Sequence, residues 1–125
     1  MGKQINPINW FEIPATDLER ATKFYEYVFN FTLTPTDMGN IKMAFFPWAE
    51  GEAGATGSLI KAESYIPSHA GSMVYFSVDD IESTLQRAEE KGGKIITPKM
   101  SIGEHGFVGH FEDSEGNRVG LHSQK

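Results

Sequence analysis

The 125-residue chain contains no cysteine. That excludes a disulfide framework, a thiol nucleophile and a thiolate metal site. Cations are in the minority: 11 lysines and arginines stand against 17 aspartates and glutamates, a formal net charge of −6. A surface of that sign repels phosphate backbones and anionic headgroups, so neither nucleic acid nor a membrane is an expected partner. No stretch approaches the roughly 20 apolar residues of a membrane-spanning helix. The N-terminal Met-Gly-Lys-Gln-Ile-Asn-Pro has no apolar run of signal-peptide length, and cytoplasm is the expected compartment. A phosphate-cradling glycine loop is also missing, because Gly51, Gly54 and Gly57 do not precede a helical pattern.

What is present is a repeat. Hydrophobic residues make up 39% and charged residues 22%, the balance of one globular domain that buries roughly two thirds of its unfolded surface. Phe11-Glu12-Ile13, then 17–29, then Thr32-Leu33-Thr34 reads as strand, helix, strand. The same order recurs at 75–78, 79–91 and 94–97. Leu18, Ala21, Phe24, Tyr25, Val28 and Phe29 recur at helical spacing, as do Ile81, Leu85 and Ala88. Thr16 and Glu19 have capping-box spacing, Asp79 or Asp80 caps the second helix, and Asn30 and Gly92-Gly93 end the two helices.

Three strands follow each helix, at about 31–36, 41–47 and 57–62, then at about 94–99, 106–112 and 117–122. The Asp113-Ser-Glu-Gly-Asn117 segment forms a turn between the last two. The expected architecture is α+β: two βαβββ modules, at about 5–63 and 72–125, with a joint at about 64–71.

Side chains two apart on a strand share a face. Phe11, Ile13, Val74, Phe76, Val78, Val119 and Leu121 form apolar sets expected to pack under the helices. The opposite face then carries Trp10 and Glu12, then Met73, Tyr75 and Ser77, then Arg118, Gly120 and His122. By analogy within the repeat, Ser58 and Ile60 stand where Gly120 and His122 stand. Aromatics, small residues and a few charges on one face are the composition of a ligand cleft.

The two βαβββ units, Asp17-Leu-Glu-Arg-Ala21 opening the first helix, Phe24-Tyr25 before Val28-Phe29, and the Asp113–Asn117 turn together resemble the vicinal oxygen chelate superfamily. That group includes glyoxalase I, bleomycin- and fosfomycin-resistance proteins and extradiol dioxygenases. The resemblance covers nearly the whole chain and implies a paired, half-open barrel with a central cleft. It also implies a homodimer, sometimes with modules exchanged between chains. Metal-dependent relatives place one ligand on each of four strands, at positions that fall here on Trp10, Ser58, Met73 and Gly120. Divalent ions need imidazole nitrogen or carboxylate oxygen at about 2.0–2.2 Å, which this set does not offer. The expectation is therefore no metal at the family site and no cofactor.

The candidate ligand-binding set is Trp10, Glu12, Ser58, Ile60, Met73, Tyr75, His105, His110, Arg118 and His122. Trp10 and Met73 either line the cleft or fill it. Glu12 is the candidate general base or cation ligand, and it alternatively pairs with Arg118. His105 lies in a glycine-flanked loop suited to a rim, His69 in the joint, and Trp48 reads as rim, core or dimer contact. The leading expectation is metal-independent binding of a small organic molecule between the modules. The alternatives are an isomerase, lyase or dioxygenase-type enzyme using Glu12 and a histidine, with or without a noncanonical metal, and a degenerate dimerisation module.

Overall fold

The computed structural model describes residues 6–125; the expected module start at about residue 5 lies outside the described residues, as does most of the N-terminal segment. Five elements build the first module: β1 (Trp10–Pro14), α1 (Leu18–Phe29), β2 (Thr34–Asp37), β3 (Lys42–Phe45) and β4 (Thr56–Lys61). The second repeats them as β5 (Tyr75–Ser77), α2 (Ile81–Glu90), β6 (Lys94–Ser101), β7 (Phe107–Glu112) and β8 (Arg118–Ser123). A 3-10 turn at Gly103–His105 joins β6 to β7.

Each sheet has four strands, in the orders β1-β4-β3-β2 and β5-β8-β7-β6. The first and last strands of each module pair in parallel and the other pairs are antiparallel. The expected α+β plan of two βαβββ modules is the observed one, and the sheets adjoin without closing a barrel.

The apolar stripe of α1 buries Ala21, Phe24, Tyr25 and Val28, and that of α2 buries Ile81, Thr84, Leu85 and Ala88. Asn30 ends α1 in the left-handed conformation at φ 57°, where asparagine is tolerated. Asp80 caps α2, accepting from Ser83 N at 3.1 Å. The α1 cap differs from the expected Thr16–Glu19 box. Asp17 accepts from Arg20 N at 3.0 Å, and the Thr16 hydroxyl is already committed to Glu115 at 3.0 Å.

One core serves both modules. Ile13, Ala44 and Leu59 from the first sheet join Phe111, Val119 and Leu121 from the second around the two helices. Each of these side chains other than Ala44 contributes roughly 1.5–3 kcal/mol by its burial. Phe11 and Phe76 meet edge to face across the junction, with centroids 5.8 Å apart.

The Asp113–Asn117 turn clamps the modules together. Tyr25, on α1, donates its buried hydroxyl to Asp113 Oδ2 at 2.7 Å. Burial raises the Asp113 carboxyl above its ordinary range despite bonds from Tyr25, Asn117 and Glu115, and it pushes Tyr25 up strongly, with the Asp113 charge adding to the effect. Asn117 Nδ2 donates to the Pro14 carbonyl at 2.8 Å. The Glu115 carboxylate accepts from Thr16 N, Thr16 Oγ1, Asp17 N and the Arg20 guanidinium at 2.7–3.0 Å, which satisfies free N–H groups at the start of α1. Burial alone would raise this carboxyl, but these donors, Arg20 foremost, hold it at about 2.

Candidate functional site

The faces turned away from the helices carry the candidate residues, and register brings them into two equivalent rows. In the first sheet Glu12, Ser58 and Phe45 are cross-strand neighbours on β1, β4 and β3. In the second the same places hold Tyr75, Gly120 and His110 on β5, β8 and β7.

The first row is capped. Trp10 on β1 and Phe45 on β3 flank β4, and their rings meet edge to face with centroids 5.5 Å apart. They therefore pass over β4, and Ser58 beneath is fully buried. Its Oγ has no hydrogen-bond partner among the described residues. Ile60 is buried as well. Trp10 thus covers this sheet while keeping its own outer face 40% exposed. Glu12 is exposed, and its nearby carboxylate raises the Tyr65 pKa. No ion pair joins Glu12 to Arg118, although both line a cavity of about 180 Å³ under the joint.

The second row is connected by polar bonds. Tyr75 Oη lies 2.8 Å from His110 Nε2, and Arg118 Nη2 lies 2.9 Å from His110 Nδ1. The tyrosine ring reaches His110 by lying across β8, and only a residue without a side chain permits that. A Cβ at Gly120 would stand 2.5 Å from Tyr75 Cε2. Partial burial and the Arg118 charge lower the His110 pKa. Arg118 Nε is buried with no partner among the described residues. Met73, two residues before β5, is partly buried.

The remaining histidines have other partners. His122 Nε2 donates to the His105 carbonyl at 2.7 Å, so the exposed His105 takes part through its backbone. His69 Nε2 pairs with Glu112 at 2.8 Å. Trp48 is 60% exposed and is not a core residue. Two further cavities are lined by residues of both modules. One of about 490 Å³ opens between the C-terminus of α1 and the N-terminus of α2 and touches none of the candidate residues. The other, of about 330 Å³, is walled by Phe11, Phe31, Phe46 and the edge of β5, including Tyr75.

The four positions to which the resemblance assigns metal ligands carry no imidazole or carboxylate. Indole, thioether and a bare Cα stand at Trp10, Met73 and Gly120, and Ser58 is sealed beneath two rings. Among the described residues no group of three or more His, Asp or Glu side chains could hold a metal ion. Sequence reasoning missed Phe45 and Tyr65. Phe45 shares a face with Met43 by alternation, but only cross-strand register puts it beside Ser58; Tyr65 carries no local signal at all.

Two sheets of this topology, each backed by a helix and joined through an Asp-x-x-Gly-Asn turn, define a paired βαβββ protein. The model of the Glyoxalase/Bleomycin resistance protein/Dioxygenase superfamily matches residues 7–121, and the chain belongs to that superfamily. A glyoxylase-like domain-containing protein of Didymella fabae is 35% identical over 114 residues, 88% of each chain. A solved glyoxylase/bleomycin resistance protein/dioxygenase domain from Frankia sp. EAN1pec superposes at TM-score 0.74 with 13% identity, covering 98% of this chain and 100% of that one. A glyoxalase I mutant from Zea mays matches at TM-score 0.70 with 21% identity, over 94% of this chain and 47% of that one. The chain thus spans about half the length of the maize enzyme. Likeness at these identities shows a shared fold. No helix among the described residues is long and apolar enough to cross a membrane.

Proposed function

We propose that the chain binds a small organic molecule on the open faces of its sheets without a metal ion. The observation that supports this most is the row of Tyr75 and His110 over Gly120, where hydrogen-bonding side chains stand beside a family metal position that has no donor. A partly exposed aromatic with a fixed polar tip gives contact area at low entropy cost and orients what it holds. The exposed rings of Trp10 and Tyr75 extend that apolar area over both modules.

The enzyme reading has less support. Arginine only donates, so Arg118 leaves His110 with its proton on Nε2, and that nitrogen cannot serve as a base. Glu12 has no hydrogen bond or ion pair to a histidine among the described residues. A second copy of the chain is the proposed partner. Both open faces lie on the far side of their sheets from the shared core, so a walled cleft needs an opposing surface. Light scattering should then give twice the 13.9 kDa chain mass.

Thermal denaturation against a panel of aromatic acids and ketones tests the binding reading. The expected result is a raised midpoint that is the same with and without a chelator. A rise that the chelator abolishes and zinc or iron restores would sink the metal-free reading.

A further inference from the structure

The hydrogen bonds joining Arg118, His110 and Tyr75 have a direction, and it is fixed at one end. A guanidinium has no acceptor, so Arg118 Nη2 donates to His110 Nδ1 at 2.9 Å, and Nδ1 carries no proton. A neutral imidazole must then hold its proton on Nε2. Nε2 therefore donates to Tyr75 Oη at 2.8 Å, and the phenol oxygen is the acceptor. The phenolic proton is left without an acceptor among the described residues. It belongs to a ring that is 48% exposed and held across Gly120. Partial burial, and then the Arg118 charge at which a protonated His110 would point a second N–H, lower the His110 pKa and favour the neutral imidazole. The arrangement reverses the histidine of a catalytic triad, where a carboxylate on one nitrogen makes the other a base. Here a cation on one nitrogen makes the other a donor, and the polarisation passes to the phenol.

We propose that Tyr75 is the ligand-contacting donor of this face, and that the molecule it takes carries an accepting oxygen, a carbonyl or a carboxylate, on a small organic body. The proposal rests on the reading that this face binds a small molecule. Arg118 and His110 are positioning residues: they set which way Tyr75 donates. Tyr75 also borders the 330 Å³ cavity at the edge of β5, but its hydroxyl lies across β8 at His110.

The test uses the whole chain and has two parts. Proton–nitrogen correlation NMR of the imidazoles reads which nitrogen of His110 is protonated. The Nε2–H form is expected in the unaltered protein and in Tyr75→Phe, with that preference lost in Arg118→Gln. An Nδ1–H imidazole in the unaltered protein overturns the proposal. Benzoate, acetophenone and cumene then serve as probes of similar size that differ in their accepting oxygen, and the Gly120 amide shift reports binding. Benzoate and acetophenone should bind about tenfold more tightly than cumene, and Tyr75→Phe should erase that difference. Equal affinities unchanged by Tyr75→Phe overturn the donor assignment while small-molecule binding stands. No shift with any probe up to its solubility limit overturns both.

Discussion

At the centre of the open face the first module has Ser58 and the second has Gly120, and around these register-equivalent positions the two modules diverge. Over Ser58, rings from both flanking strands meet and exclude solvent. Over Gly120 there is room for one ring to lie flat along the row, which carries the Tyr75 hydroxyl to a histidine two strands away. Phe45 against His110, and Glu12 against Tyr75, complete the contrast. One backbone plan thus yields an apolar cap in one copy and a polar row in the other, and the choice turns on the side chains of a single cross-strand row.

The contrast holds only while both modules share one core, so its largest test is the clamp between them. Asp113→Ala removes the acceptor of Tyr25, Asn117 and the Glu115 amide, and leaves the Tyr25 hydroxyl and the Asn117 amide groups buried. Unsatisfied buried donors cost roughly 1–3 kcal/mol each, so a loss of at least about 3 kcal/mol is expected in urea denaturation. A midpoint within error of the parent's would mean that the modules are held by the core alone.

Acid should loosen the same clamp. Glu115 sits at about 2 in the folded chain against an ordinary 4.5, a depressed carboxyl, so its contribution is full above about 4.5 and disappears as pH falls toward 2. His110, also depressed, adds a smaller loss that begins as pH falls through its ordinary 6.5. Glu115→Gln should flatten the lower part of a stability–pH curve and Arg118→Gln the upper part. Asp113 acts in the opposite sense, because its raised pKa favours the protonated form in the fold.

Trp10→Ala addresses the cap itself. The ring is 40% exposed, so only part of its area is withdrawn from water, and a cost of about 1–2 kcal/mol follows. Hydrogen exchange at the Ser58 and Ile60 amides should rise in this variant. Were it unchanged, Phe45 alone would be the cover.

Much of the frame was legible because it is local. The periodicity of Leu18 to Phe29 gave α1, Asn30 its end, and period-two alternation put Trp10, Glu12, Tyr75, Arg118 and His122 on the face away from the helices. What escaped depends on contacts distant in sequence. Tyr75 and His110 are 35 residues apart, and only the β5-β8-β7 register makes them neighbours. Glu115 takes the Thr16 hydroxyl from 99 residues away, which is why a capping-box spacing misled. Alternation tells which face a side chain takes, but it does not say whether rings on that face leave a gap or close it.

The smallest expected change in stability is also the sharpest test of the comparison, because Gly120→Ala makes the second module resemble the first by one methyl group. The new Cβ would meet Tyr75 Cε2 at 2.5 Å and Cδ2 at 2.6 Å, so the ring must leave the row. It can do so cheaply. Tyr75 is half exposed and can swing about χ1 into solvent, so the cost should stay under about 1 kcal/mol, at the low end for overpacking. The Nε2–H of His110 would then lose its acceptor, and its exchange with water should accelerate while the melting temperature moves by a few degrees at most. A large loss of stability with that proton still protected would show that the ring is fixed by its surroundings and that Gly120 does not decide between the cap and the row.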